Sequence, residues 1–440
     1  MVLDRSTRLR VAANRRYLEY DDGRPFFYLG DTAWELFHRL RREEIEYYVE
    51  NRARKGFTVI QAVALAELSG LDTPNVYGER PLIDNDPTRP NDAYFKLIDV
   101  TVQMLGRWGM FLGLLPTWGC HWKLNAGGQT GIFTSETAAV YGRFLGERYR
   151  DAPLIWILGG DQNATDPRER AVIEALAGGL RQGDDGQHLI TYHPRGPGQS
   201  SDLWHNAEWL DFNMSQSSHG ARDHDNGLFA EHDYGLIPPK PTLDGEPRYE
   251  MIPVGFYNSD TVQVRRFDDA DVRQAAYWSL LAGACGHTYG HNSVWQMWEP
   301  KRRPVIGACV PWQTALDHPG AFQMGYMRRL FESRPFHKLA PAQAVILDGP
   351  RNGGAKIRAA RAIDGSFAFI YSPRGEPFTV HQGIIAAPRV CASWFDPRYG
   401  VETPLHTTDT PNIQTFVPPT AGRGCDWLLI LEDATNLPKD

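Results

Sequence analysis

Short apolar runs recur along most of the chain, and each ends on polar or aromatic positions. They occupy residues 25–30, 58–65, 110–116, 153–158, 188–192, 210–214, 241–244 and 285–289. Most are followed by stretches with helical spacing. In 42–55, Ile45, Tyr48, Val49 and Ala53 form an apolar stripe, and Gly56 closes the segment as a C′ residue. Asn91 or Asp92 can cap a helix running to about 108. Further helices are predicted at 135–150, 166–181, 268–283 and 327–337. The link between the fifth and sixth runs is short, so a reduced helix is expected there.

Eight strand candidates alternating with helices predict an α/β fold, a (β/α)8 TIM barrel. A doubly wound open sheet is the alternative, but no G-x-G-x-x-G follows the first strand. After about Ala340 the pattern changes. Runs at 344–347, 355–360, 367–372, 390–395 and 427–431 are separated by Gly, Pro, Asn and Asp turns with no helices between them. Such spacing predicts a small antiparallel β-sandwich. The expected organisation is a catalytic barrel over 1–340 and a β-sandwich over 341–440.

Composition then narrows the partners. The 440 residues are 42% hydrophobic, enough for one barrel and a small domain, and the formal charge is -7. No Lys/Arg run suits a phosphate backbone, so nucleic acid is not an expected partner. No apolar stretch reaches the roughly 18 residues of a membrane span, and no membrane partner is expected. The N-terminal residues contain no apolar segment of signal-peptide type, which suggests a cytoplasmic protein. Five cysteines, at 120, 285, 309, 391 and 425, are far apart and form no C-x-x-C. The 14 histidines form no H-E-x-x-H. No metal and no cofactor is therefore expected. The polar segment 219–225 reads as a mobile loop over the site rather than a metal site. Oligomeric state is not encoded in any readable pattern.

In a (β/α)8 barrel the site lies at the C-terminal ends of the strands. That rule selects Asp31, Gln61, His121, Asp161, His193, Gln216, His219, Glu246 and His291, with rings from Trp34, Trp118, Tyr289 and Trp295. Carboxylates, amides, imidazoles and indoles suit a neutral polyhydroxylated ligand, a carbohydrate, better than a phosphorylated one. Cleaving a glycosidic bond needs two carboxyl groups flanking it. Asp161 and Glu246 end the fourth and seventh strands, across the barrel from one another. The Gly159-Gly160 pair lets the backbone turn sharply before Asp161. Competing structural readings are a helix cap for Asp161, an ion pair with Arg248 for Glu246, and a cap with a core indole for Asp31 and Trp34.

The segments LRVAANRRYLEYDDGRPFFYLGDTAW (9–34), WILGGD (156–161) and DGEP (244–247) resemble the apiosidase family of glycoside hydrolases, glycoside hydrolase family 140. The C-terminal part resembles the collagen-binding-type β-sandwich that accompanies it. The likeness covers nearly the whole chain. It implies an exo-acting enzyme removing terminal apiose from plant glycans or apiosylated glycosides. It also implies Asp161 as acid/base and Glu246 as nucleophile, with retention of configuration. Related barrels carry Glu at the end of strand four, where this chain has Asp. Two other functions compete: a non-catalytic glycan-binding barrel, and a barrel hydrolase of another bond. The C-terminal domain is expected to brace the barrel, because Trp394 and Trp427 sit in apolar runs.

Overall fold

The structure, a computed structural model, describes residues 2–3, 7–125, 128, 131–256, 265–409 and 413–436. Eight parallel strands form the barrel: β1 (Tyr28–Thr32), β2 (Val59–Leu65), β3 (Phe111–Thr117), β4 (Leu154–Gly159), β5 (Ile190–His193), β6 (Asn213–Gln216), β7 (Thr242–Asp244) and β8 (Gly286–Tyr289). The sheet runs β5-β4-β3-β2-β1-β8-β7-β6, and a two-residue strand, Gly198–Gln199, adds antiparallel to β6. No ladder joins β5 to β6. The seam is closed instead by Asp211, whose N–H donates to the Ile190 carbonyl at 2.9 Å and whose carboxylate accepts from Ile190 N–H at 2.6 Å. Thr191 adds a bond to the Phe212 carbonyl at 2.7 Å.

Helices lie in or near the predicted places, α1 (Arg42–Arg54), α2 (Asp92–Arg107), α3 (Ser135–Tyr149), α4 (Pro167–Gly183), α6 (Asp269–Leu281) and α7 (Pro319–Glu332), and one that was not predicted, α5 (Gly227–Tyr234), precedes β7. Asn91 caps α2 and Asp268 caps α6, each accepting from backbone N–H groups of the first turn. Between β5 and β6 only Ser201–Trp204 is helical. The last helix starts earlier than periodicity suggests, because Pro319 occupies its first turn, where a missing N–H costs nothing. No described helix is long and apolar enough to cross a membrane.

Side chains alternate along each strand, so each contributes to two cores. Tyr28, Val59, Val63, Phe111, Leu115, Ile155, Ile157, Phe212, Met214 and Leu243 fill the barrel interior. Leu18 and Phe26, from a three-stranded meander over Leu9–Val11, Leu18–Tyr20 and Pro25–Phe26, join that interior cluster. The alternate positions, such as Leu29, Ile60, Ala62, Leu112 and Trp156, pack outward with the helices.

The C-terminal sheets are a six-stranded and a three-stranded antiparallel layer. Their inner faces share a core of Ile357, Ile370, Phe378, Trp394, Phe416 and Leu429. The opposite face of the larger sheet, with Phe369, Tyr371, Leu428 and Ile430, merges with the barrel's outer core. Tyr371 stacks on Tyr277 of α6 at 4.7 Å, and Arg273 of the same helix pairs with the buried Asp426 at 2.7 Å.

Candidate active site

One cavity, of about 530 Å³, opens at the C-terminal ends of the strands, within the size range of small-molecule sites. Its lining includes Trp34, Glu67, Trp118, Asp161, Gln216, His219, Glu246, Tyr249 and Trp295. A second cavity, about 650 Å³, lies at the opposite end, beside Leu3, Asp99, Arg148 and Pro153. Its main charges are paired with each other, Arg148 with Asp99 at 2.7 Å, and it holds no pair of free carboxyl groups among the described residues.

Asp161 follows β4 through an unusual turn. Gly159, Gly160 and Asp161 have φ values of 90°, 77° and 60°. A Cβ at Gly159 would lie 2.3 Å from the His193 carbonyl oxygen, and one at Gly160 would lie 2.9 Å from Gly119 N, so both positions require glycine. Asp tolerates the left-handed region better than Glu, because its short polar side chain bonds locally. The turn geometry therefore gives a physical reason for the shorter acid at the end of β4. The helix-cap reading fails, since α4 is capped by Asp166.

His193, at the end of β5, joins the two acids. Its Nδ1 accepts the Asp161 backbone N–H at 3.1 Å, which leaves the ring proton on Nε2. That Nε2 lies 2.9 Å from Glu246 Oε2, at an angle too poor for a well-formed hydrogen bond, so the contact is mainly electrostatic. His219 Nε2 lies 3.1 Å from the other oxygen, Oε1, while its Nδ1 accepts Tyr249 N–H at 3.4 Å. Trp34 and Trp118 pack against each other at 5.3 Å and against His193 at 5.5 and 5.9 Å. Trp34 Nε1 donates to the Tyr249 hydroxyl at 3.1 Å.

These contacts separate the two carboxyls. Burial, then the charge of Glu246, push Asp161 up to about 6, against smaller opposing effects of His193 and a hydrogen bond from Gln216. Burial also acts to raise Glu246, but the two imidazoles outweigh it and hold Glu246 down at about 2. Two acids in one pocket, one keeping its proton up to about pH 6 and one already ionised there, can supply a proton and a nucleophile together.

Several expected site residues lie elsewhere. Asp31 points outward, where Tyr48 Oη donates to it at 2.5 Å and Arg52 Nε at 2.6 Å. Tyr289 also points outward and donates to Glu250 at 2.6 Å. His291 caps a short turn at Ser293 N–H and meets His318 at 3.2 Å. Gln61 lies inside the barrel beneath the cavity, bonded to the Gly245 carbonyl and Thr288. His121 bonds the Ala66 carbonyl at 2.9 Å and is not part of the lining. Glu246 makes no pair with Arg248, which instead bonds Gln274. The segment 219–225 is not a loose flap. Asp225 pairs with Arg358 and Lys356, and Asp223 with Arg374, all from the C-terminal sheets. Among the described residues, no group of three or more His, Cys, Asp or Glu side chains is placed to hold a metal ion.

Sequence reasoning missed Glu67 and Tyr249. Glu67 stands two residues beyond β2, where the strand-end rule could have found it. Tyr249 stands three residues after Glu246 and lines the same cavity.

Residues 12–338 match the family profile described as "Apiosidase-like, catalytic domain". Residues 340–432 match one described as "Putative collagen-binding domain of a collagenase". A solved structure titled "Glycoside hydrolase" is 33% identical, covers 98% of each chain and superposes with a TM-score of 0.88. A glycoside hydrolase family 5 structure from Bacteroides vulgatus ATCC 8482 is 30% identical, with 98% and 94% coverage and a TM-score of 0.88. A family 5 mannosidase from Rhizomucor miehei, 11% identical with a TM-score of 0.54 over 76% of this chain and 99% of its own, shares the fold alone. No curated protein sequence matched.

Proposed function

The chain belongs to the family of apiosidase-like catalytic domains and is a glycosidase, and on that premise we propose an exo-acting enzyme that removes terminal apiose from plant glycans or apiosylated glycosides. Asp161 protonates the leaving oxygen, and Glu246 attacks the anomeric carbon from the opposite face. Water then hydrolyses the glycosyl-enzyme, with Asp161 acting as base, and configuration is retained.

The observation that carries this reading is the unlike surroundings of two carboxyls in one cavity: histidine nitrogens lie 2.9 and 3.1 Å from the Glu246 oxygens, while Asp161 makes no ion pair among the described residues. Glu246 stays an anion because two histidine N–H groups face it. Asp161 keeps its proton because it is buried beside that anion. The indoles of Trp34, Trp118 and Trp295 supply flat apolar faces for a sugar ring.

The test is a screen of aryl glycosides and apiosylated natural products for released monosaccharide. Release of apiose, with the same anomer formed first as was present in the substrate, is expected. Release of a different sugar would replace the substrate, and an inverted first product would replace the mechanism.

A further inference from the structure

A third carboxyl group shares the cavity with Asp161 and Glu246. Glu67 lies on the loop after β2, and its backbone is held on both sides. His121 Nε2 bonds the Ala66 carbonyl at 2.9 Å, and Leu68 N–H donates to Glu35 Oε1 at 3.0 Å. Glu35 is itself fixed by His38 at 2.7 Å. The loop is therefore rigid where it presents Glu67, yet among the described residues no hydrogen bond or ion pair reaches the Glu67 carboxyl. A half-buried acid, open to the cavity and without a protein partner among the described residues, is placed for a ligand to complete.

We propose that Glu67 is a substrate-binding, specificity-determining residue: its carboxylic OH donates a hydrogen bond to a hydroxyl oxygen of the sugar held between Asp161 and Glu246. The proposal rests on the glycosidase reading above.

The surroundings favour the neutral acid. The charged groups facing it are Glu35 from the turn after β1, Asp161 from β4 and Glu246 from β7, all acidic. Burial first, then these three charges, push Glu67 up to about 8. The Cys120 thiol across the β3 turn is neutral, pushed up chiefly by burial. His219 is committed to Glu246, and Arg195, also on the cavity wall, makes no ion pair with Glu67 among the described residues. An ionised carboxylate could only accept hydrogen bonds. The protonated acid can also donate, so it can complete the lone pair of a hydroxyl oxygen, which a carboxylate cannot.

The experiment compares wild type, Glu67→Gln and Glu67→Ala across pH on whichever glycoside with an alkyl leaving group the wild type hydrolyses, so that the Asp161 proton is needed for bond cleavage. Glu67→Gln keeps a neutral donor and should hold KM within about threefold; Glu67→Ala should raise KM by about tenfold with kcat little changed. Above the titration of Glu67, wild-type kcat/KM should fall with a two-proton slope, because Asp161 and Glu67 are both lost, and both variants should keep a one-proton slope. Wild-type KM and slope in Glu67→Ala would overturn the proposal, as would equal KM losses in both variants. If Glu67→Ala does not fold, the slope of Glu67→Gln decides alone. A wild type that cleaves no glycoside in the panel would instead overturn the functional reading, and this proposal with it.

Discussion

His193 Nε2 sits 2.9 Å from Glu246 Oε2, while the other nitrogen of the same ring accepts the Asp161 backbone N–H. One imidazole thus ties the position of one acid to the charge of the other. Glu246 should set the acid limb of kcat/KM near pH 2 and Asp161 the alkaline limb near pH 6. These are apparent values of the pair. Removing an N–H donor by His219→Ala raises the nucleophile toward the ordinary Glu range. The acid limb should move up by about 1 to 2 pH units, the worth of one charge-assisted hydrogen bond. An unmoved limb would show that the histidines do not control Glu246.

Asp31 has a structural consequence instead of a substrate contact. It is fully buried against Arg52, which is also fully buried. Asp31→Ala leaves that guanidinium uncompensated and should cost about 3–5 kcal/mol of stability, read by denaturant unfolding. KM of the surviving folded enzyme should be unchanged. A raised KM with unchanged stability would return Asp31 to the pocket.

The reason Asp31 and Tyr289 could be misread is geometric. Position along the chain shows that a residue ends a barrel strand, but the period of two decides whether it points inward or outward. Tyr28 and Thr288 point into the barrel, so Asp31 and Tyr289, at odd offsets from them, point toward the helices. Ile155 and Ile157 point inward by the same parity, but Asp161 lies beyond the strand, and the left-handed turn at 159–161 aims it into the cavity. The eight strands were legible because buried parallel strands are near-continuous apolar runs. The exposed sandwich strands Val401–Asp409 and Ile413–Phe416 carry mostly polar residues and gave no such run. The anchoring of 219–225 depends on Arg358 and Arg374, more than a hundred residues away, and no local pattern encodes it.

That anchoring predicts a link between the C-terminal sheets and catalysis. Arg358 binds Asp225 at 2.7 Å and Glu231 at 2.6 Å, and Asp225 lies six residues from His219. Arg358→Ala leaves Asp225 with Lys356 alone and should destabilise by about 3 kcal/mol. It should also lower kcat by loosening His219. Thermal unfolding and turnover measured on one preparation check both effects, and loss of neither would mean that the sheets do not support the site.

Glu67 gives a stability signature that needs no substrate. An acid whose folded value is raised contributes stability that is present below its unfolded value and lost as pH rises through the folded one. For Glu67 that window runs from about 4.5 to about 8. Over this range the Tm of wild type should fall more than that of Glu67→Gln, which has no proton to lose. Parallel Tm curves would mean that Glu67 is ordinary in the free enzyme.

The pairing of Asp161 with Glu246 is tested most directly by Asp161→Asn and Glu246→Gln, which keep shape and remove one function each. Both should be assayed on two apiosides, one with an activated aryl leaving group and one with an alkyl leaving group. Glu246→Gln should lose activity by orders of magnitude on both. Asp161→Asn should lose about 10²–10⁴-fold on the alkyl apioside, where protonation of the leaving oxygen is needed, and far less in bond cleavage on the aryl one. Near wild-type hydrolysis of the alkyl apioside by either folded variant would contradict the assignment.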